Sequence, residues 1–273
     1  MLSRFRSFAV AAALSCAAIS TAQAGAREES RLLVATEVME ELRASRDQFI
    51  PDRLLERAYG IAVIPDVTKV AFFAGGRRGR GVLVVRDKDG HFTNPAFITL
   101  TGGSIGWQIG AQSTDVVLVF TTRTGIEGIS GGKLTLGADA SVAAGPVGRQ
   151  ASAATDTSFS AEVYSYSRTR GLFAGVALDG SALNIDRSAN AAFYGSKGSN
   201  ASTIFNGGVT TNSETVRRFL AAIATSTGGS APGTSAATAP PPLAPSATTS
   251  PTPAGAAQSF PLEDQQPGSE PPN

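Results

Sequence analysis

"TGGSIGWQIGAQ", residues 101–112, carries Gly102, Gly103, Gly106 and Gly110. Glycine at this density serves a phosphate-cradling loop, a packing seam between membrane helices, or a sharply curved strand. The alternation of the other residues decides between them. Ile105, Trp107, Ile109 and Ala111 take the odd positions, and Ser104, Gly106, Gln108, Gly110 and Gln112 the even ones. A period of two puts the apolar set on one face of a β-strand and the small, polar set on the other. A dinucleotide loop needs its glycines between a strand and a helix, with an acidic residue about 20 positions on. Here the glycines run through the strand, and "DVVLVF" (115–120) follows as a second strand. A membrane-spanning helix needs about 20 mostly apolar residues, and Gln108, Gln112 and Asp115 interrupt this one. The stretch is therefore a strand with one bare face, either bending a curved sheet or leaving room for a ligand.

Outward from this strand the pattern is the same. "IAVI" (61–64), "KVAFFAG" (69–75), "GVLVVRD" (81–87), "HFTN" and "AFITL" read as short strands, with a hairpin turn at "KDG" (88–90). "KLTLGADASVAAG" places Leu134, Leu136, Ala138, Ala140 and Val142 on one face, and "SFSAEVYSYSR" and "LFAGVAL" form a pair joined at "TRG". Helices flank them. Over 27–46, Leu32, Ala35, Met39 and Leu42 share a face opposite Glu28, Glu37, Glu40, Glu41 and Arg43, for packing on the domain or lying on a membrane surface. Pro51 opens a short second helix, "PDRLLERAY". In "TNSETVRRFLAAIATS" Thr211 and Glu214 suggest a capping box, and Val216, Phe219, Leu220 and Ile223 form one face. The predicted fold is α+β: nine or ten short, mostly antiparallel strands in a strongly curled sheet or barrel, with flanking helices.

Composition narrows the function. The chain has 273 residues, net charge +1 and 16% charged residues, so nothing draws it globally to nucleic acid. Arg4 and Arg6, the apolar "FAVAAALSCAAIS" and "AQA" at 22–24 read as a signal peptide over 1–24, predicting an exported, periplasmic or secreted protein beginning near Gly25. The alternative is a lipoprotein acylated at Cys16, the only cysteine. From 225 to 273 the chain turns to Pro, Ala, Ser, Thr and Gly, a composition that predicts a disordered tail. No apolar run after the leader is long enough to span a bilayer as a helix.

The residues from 25 to 224 resemble a known family. "AYGIAVIPDVTKVAFFAGGRRGRGVLVVRDKDG", "GGSIGWQIGAQSTDVVLVF", "KLTLGADASVAAGPVGR", "YSYSRTRGLFAGVALDG" and "FYG" at 193–195 occur in the order of the SYLF domain. The resemblance implies binding of phosphoinositides or other anionic lipids, as among eukaryotic members, and of actin filaments, as in the yeast branch. Exported bacterial members are the kind this chain resembles.

Catalytic material is sparse. His91 is the only histidine and follows a turn; the carboxylates Asp115, Glu127, Asp139, Asp156 and Glu162 form no pair by spacing. Beyond the leader that carries Cys16, no thiol or second histidine remains to complete a metal cluster. We therefore expect no enzyme, no metal and no cofactor. Binding has more to work with. "GGRRGRG" (75–81) reads as a glycine-rich loop presenting Arg77, Arg78 and Arg80, with Lys69 on the strand before it. Arginine's planar fork suits phosphate oxygens, and the alternative is a solvated basic hairpin. Trp107 is either core or an interfacial anchor. The candidate lipid-binding residues are Lys69, Arg77, Arg78, Arg80 and Trp107; the alternative functions are a protein-interaction module and a carrier of a small apolar ligand.

Overall fold

One hairpin makes most of the sheet. In the computed structural model, which describes residues 25–44, 50–147, 160–169 and 172–228 and omits the side chains of 70–74, 104–111 and 199, strand β1 runs over Gly60–Val85 and strand β2 over Ala96–Phe120. They pair antiparallel from Gly60↔Phe120 to Leu83↔Ala96. The six short strands expected over these ranges are thus two long ones. Gly and Pro, read as breaks, are absorbed as bends. Pro65 sits at the bulge between Ile64 and Val67, where a missing N–H is tolerated. Asp66 there has φ 50°, and its N–H donates to Asp115 Oδ1 at 3.0 Å.

The ribbon then folds back on itself. A Cβ on residue 79 would come within 2.7 Å of Ile64 and Val67, and one on residue 81 would strike the Val63 carbonyl. Only glycine lets the two halves of β1 approach so closely. The turn at 88–90 forms as expected: the Asp87 carboxylate accepts from the N–H groups of Asp89 and His91, and Gly90 has φ 85°. His91 is exposed there.

Five short strands complete the curl: β3 (Lys133–Thr135), β4 (Val142–Ala144), β5 (Val163–Thr169), β6 (Leu172–Gly175) and β7 (Ala182–Ile185). The order β3-β7-β2-β5-β4 forms the path, with β1 on β2 and β6 on β5; β4–β5 is the parallel pair. The single strand expected over 133–145 is broken in two. Gly137 at φ 86° and the Asp139 carboxylate, which accepts from Thr135 N at 2.6 Å, close a turn that leaves Ala138 exposed. The result is an α+β domain with a mostly antiparallel, strongly curled half-barrel sheet and flanking helices.

The helices are α1 (25–44), α2 (Asp52–Glu56), α3 (Thr124–Ser130), α4 (Arg187–Tyr194), α5 (Ala201–Phe205) and α6 (Glu214–Thr227). Leu32, Ala35, Met39 and Leu42 of α1 and Val216, Phe219 and Ile223 of α6 bury against Val63, Val82, Phe97 and Val119 on one face of the sheet. Ile64, Leu83, Ile98, Leu118 and Leu183 fill the inside of the curl, closed by Ile126 and Ile129 of α3. At α6 the capping box does not form. The helix starts at Glu214, which pairs with Arg217, and Thr211 Oγ1 accepts from Ser213 N. Among the described residues no helix is long and apolar enough to cross a membrane. The expected leader with Cys16 lies outside the described residues, as does the tail beyond 228.

Candidate anion-binding cleft

The basic segment 75–81 lies inside β1, so the expected glycine-rich loop is strand. That changes which arginines meet. Alternation along a strand sends neighbours to opposite faces. Arg78 and Arg80 share parity with Val82 and Val84, which face α1, whereas Arg77 shares it with Leu83 and Val85, inside the curl. Arg77 accordingly donates from Nη1 to Ala177 O at 3.3 Å, and its buried Nε, like the Ser181 Oγ, has no hydrogen-bond partner among the described residues. A Cβ on Gly102, paired with Arg77, would stand 2.6 Å from that hydroxyl. Lys69 is half-buried opposite Gln112 and does not line the cleft described next. Trp107 falls on β2, but its side chain lies outside the described residues.

Arg78 and Arg80 instead enter a cleft of about 580 Å³ between β1, α1 and the start of α4. It is walled by Arg27, Glu28 and Arg31 from α1, Thr99 from β2, and Asp186, Arg187 and Ser188. Five arginines face two carboxylates, Glu28 and Asp186. Arg31 is the buried member: its Nη2 lies 3.0 Å from Glu28 Oε2 and its Nη1 3.7 Å from Asp186 Oδ2, and its guanidinium sits 5.3 Å from the centre of the Phe97 ring. Arg27, Arg78, Arg80 and Arg187 are exposed and, among the described residues, make no ion pair.

The floor of the cleft is held firmly. Asp186 caps α4, accepting from Ala189 N at 3.1 Å and from the Ser188 hydroxyl at 2.7 Å. Its own N–H donates to Phe97 O at 2.9 Å, tying the helix start to β2. Burial pushes the Asp186 carboxyl up, but those hydrogen bonds and the charges of Arg31 and Arg80 outweigh it and leave it below the ordinary aspartate range. Glu28 goes the other way: burial raises it despite Arg31, Arg80 and Arg27, with Asp186 adding to the rise. Burial likewise lowers Arg31, against the pull of both carboxylates.

Arg27, Glu28, Arg31, Asp186 and Arg187 were not among the sequence candidates. The helical spacing puts Glu28 on the polar face of α1, yet it is 7% exposed. The signal was present: Glu28 precedes Leu32 by four residues and Arg31 precedes Ala35 by four, so an opposite-charge pair begins the apolar stripe. Among the described residues no three His, Cys, Asp or Glu side chains gather into a group fit for a metal.

A curled-sheet α+β domain with a cationic cleft under its first helix is the class these features define. The family model described as "Ysc84: Las17-binding protein actin regulator" matches residues 101–226, from within β2 to the last turn of α6. LAS seventeen-binding protein 3 of Saccharomyces cerevisiae is 43% identical over 152 residues, 55% of this chain and 33% of that protein. Protein YSC84 of the same yeast is 43% identical over 152 residues, 55% and 32% of the two chains. SH3 domain-containing YSC84-like protein 1 of Homo sapiens is 37% identical over 153 residues, 56% and 44%. The chain spans less than half the length of each of these relatives. Residues 101–226 match the SYLF (Ysc84) family model.

Proposed function

We propose that this domain is a non-enzymatic binding module that takes the anionic headgroup of a phospholipid in the cleft under α1. The observation that carries this reading is the set of four exposed arginines, Arg27, Arg78, Arg80 and Arg187, that wall one cleft without carboxylate partners among the described residues. Guanidinium groups are suited to phosphate oxygens by shape as well as charge. Arg31, already neutralised by Glu28 and Asp186, serves as a rigid floor. Each basic group near an anionic membrane contributes about 1 kcal/mol, so four give a useful and salt-sensitive attraction. The exported location proposed for the chain, from its leader, makes the cell envelope the membrane concerned.

Flotation of the purified protein with neutral and with anionic vesicles, at low and high salt, tests this. Binding to anionic vesicles alone, weakening with salt, is the expected result. Equal flotation with both would argue for apolar insertion, and none by a folded protein would end the lipid reading. A second reading rests on the names of the relatives, which describe a Las17-binding protein and an actin regulator: the same arginine wall docks an acidic polypeptide surface. Failure of flotation would favour it. A mature N-terminus at Gly25 in exported protein, against acylated Cys16, would decide between the two export routes.

A further inference from the structure

A second cleft, of about 490 Å³, shares Arg27, Arg31, Arg78 and Arg80 with the first. Its remaining walls differ in chemistry. Ser30 of α1 and Asp66 of β1 contribute a hydroxyl and a carboxylate, while Val34 comes from α1, and Pro65 and Gly79 come from the two halves of β1. With the aliphatic stems of the shared arginines the last three make a largely carbon surface. Both clefts fall in the roughly 300–1,000 Å³ range of small-molecule sites.

The apolar wall is a built feature. Pro65 is placed by the bulge at Asp66, whose left-handed φ of 50° is unfavourable for a residue with a side chain. That conformation is held from two directions: Asp66 N donates to Asp115 Oδ1 at 3.0 Å, and the Ser113 hydroxyl donates to Asp66 Oδ1 at 3.3 Å. Gly79 lets the other half of β1 approach, because a Cβ there would collide with Ile64 and Val67.

We infer that the two clefts bind one anionic amphiphile by both its parts: the phosphate among the arginines of the first cleft, and the first carbons of its apolar chain against Val34 and Pro65 in the second. This rests on the anion reading above and deepens it, since a purely electrostatic surface site has no use for the second cleft. The ligand class is a phospholipid held as a single molecule, with the phosphate ester as the shared chemistry of lipid and free headgroup.

Titration calorimetry of the full protein with glycerol 3-phosphate and with dihexanoyl phosphatidic acid, kept below its micelle concentration, separates the two sources. The short-chain lipid is expected to bind at least about tenfold more tightly, the gain from burying roughly two methylene groups. Val34→Gln should abolish that gain and leave glycerol 3-phosphate binding unchanged; Val34→Leu should keep it. Equal affinity of wild-type protein for the two compounds would overturn the apolar subsite while leaving the anion site standing. A Val34→Gln protein that melts like wild type and retains the full gain would do the same. No binding of either compound would overturn the anion reading and the subsite together.

Discussion

The side-chain amide of Asn190 stands in for a missing strand at Phe97. Its Oδ1 accepts from Phe97 N at 2.8 Å and its Nδ2 donates to Phe97 O at 3.0 Å, with Asn190 fully buried. The contact fixes α4, and with it Asp186 and Arg187, against the floor of the arginine cleft. Asn190→Leu would leave the Phe97 N–H buried without a partner, a penalty of about 1–3 kcal/mol. Chemical denaturation should register that loss, and anion binding should weaken as the helix start loosens, although residue 190 does not line the cleft.

Tyr166 fills the space beside Gly145. A Cβ on residue 145 would fall within the Tyr166 ring, which is fully buried and whose hydroxyl donates to Pro146 O at 3.3 Å. Gly145→Ala must therefore displace a large core side chain, and we expect a loss of about 2–4 kcal/mol. Gly90→Ala is the control: nothing lies within 4 Å, and only its φ of 85° resists the change, for about 1 kcal/mol. Thermal melts of the two variants should differ clearly.

Arg168 joins three elements. It donates from Nε to Asp115 Oδ2 at 2.7 Å and pairs through Nη1 with Glu41, linking β5 to β2 and α1, with Asp115 and Arg168 both mostly buried. Removing one partner of such a pair leaves the other charge stranded. Arg168→Met should cost about 2–3 kcal/mol, with α1 amides exchanging faster than those of β2 in hydrogen-exchange measurements.

Asp186 and Glu28 respond to acid in opposite senses. The Asp186 carboxyl is depressed in the folded protein, so its stabilisation is present above the unfolded aspartate value, about 3.9, and is lost as pH falls through the lower folded value. Glu28 is raised, so its favourable contribution is present below the unfolded glutamate value and is lost as pH rises through the folded one. Asp186→Asn keeps a capping oxygen but removes the charge. It should be less stable than wild type by about 0.5–1 kcal/mol at neutral pH, with the difference shrinking in urea titrations as pH falls through the lowered folded value.

Much of this fold was legible because its signals are periodic. The stripe Leu32–Ala35–Met39–Leu42 and the stripe Val216–Phe219–Leu220–Ile223 repeat at helical spacing, and both helices bury those residues. The alternation at 105–111 marked a strand. What could not be read was continuity. Pro65, Gly79 and Gly81 look like strand breaks, yet here they bend one strand of 26 residues, because the sterics that favour glycine come from another part of the same strand. Helix α4 was missed although Asp186 precedes it as a capping residue, since "RSANAAFY" has too short an apolar stripe to stand out. The site was half legible. Arg78 and Arg80 were found through their cluster, but their separation from Arg77 follows from the strand the loop proved to be, and Arg27, Arg31 and Arg187 join them only through tertiary folding.

That separation supplies the most direct test. Arg77 and Arg78 are adjacent in sequence, but of the three arginines in segment 75–81 only Arg78 and Arg80 line the cleft. Flotation on anionic vesicles should be compared for wild type, Arg77→Ala, and the Arg78→Ala/Arg80→Ala double variant at one moderate salt concentration. Two lost contacts of about 1 kcal/mol each predict roughly a tenfold or greater drop in partitioning for the double variant and little change for Arg77→Ala once its folding is confirmed. Equal losses in the two proteins, or a larger loss in Arg77→Ala, would contradict the assignment of the anion site to the cleft under α1.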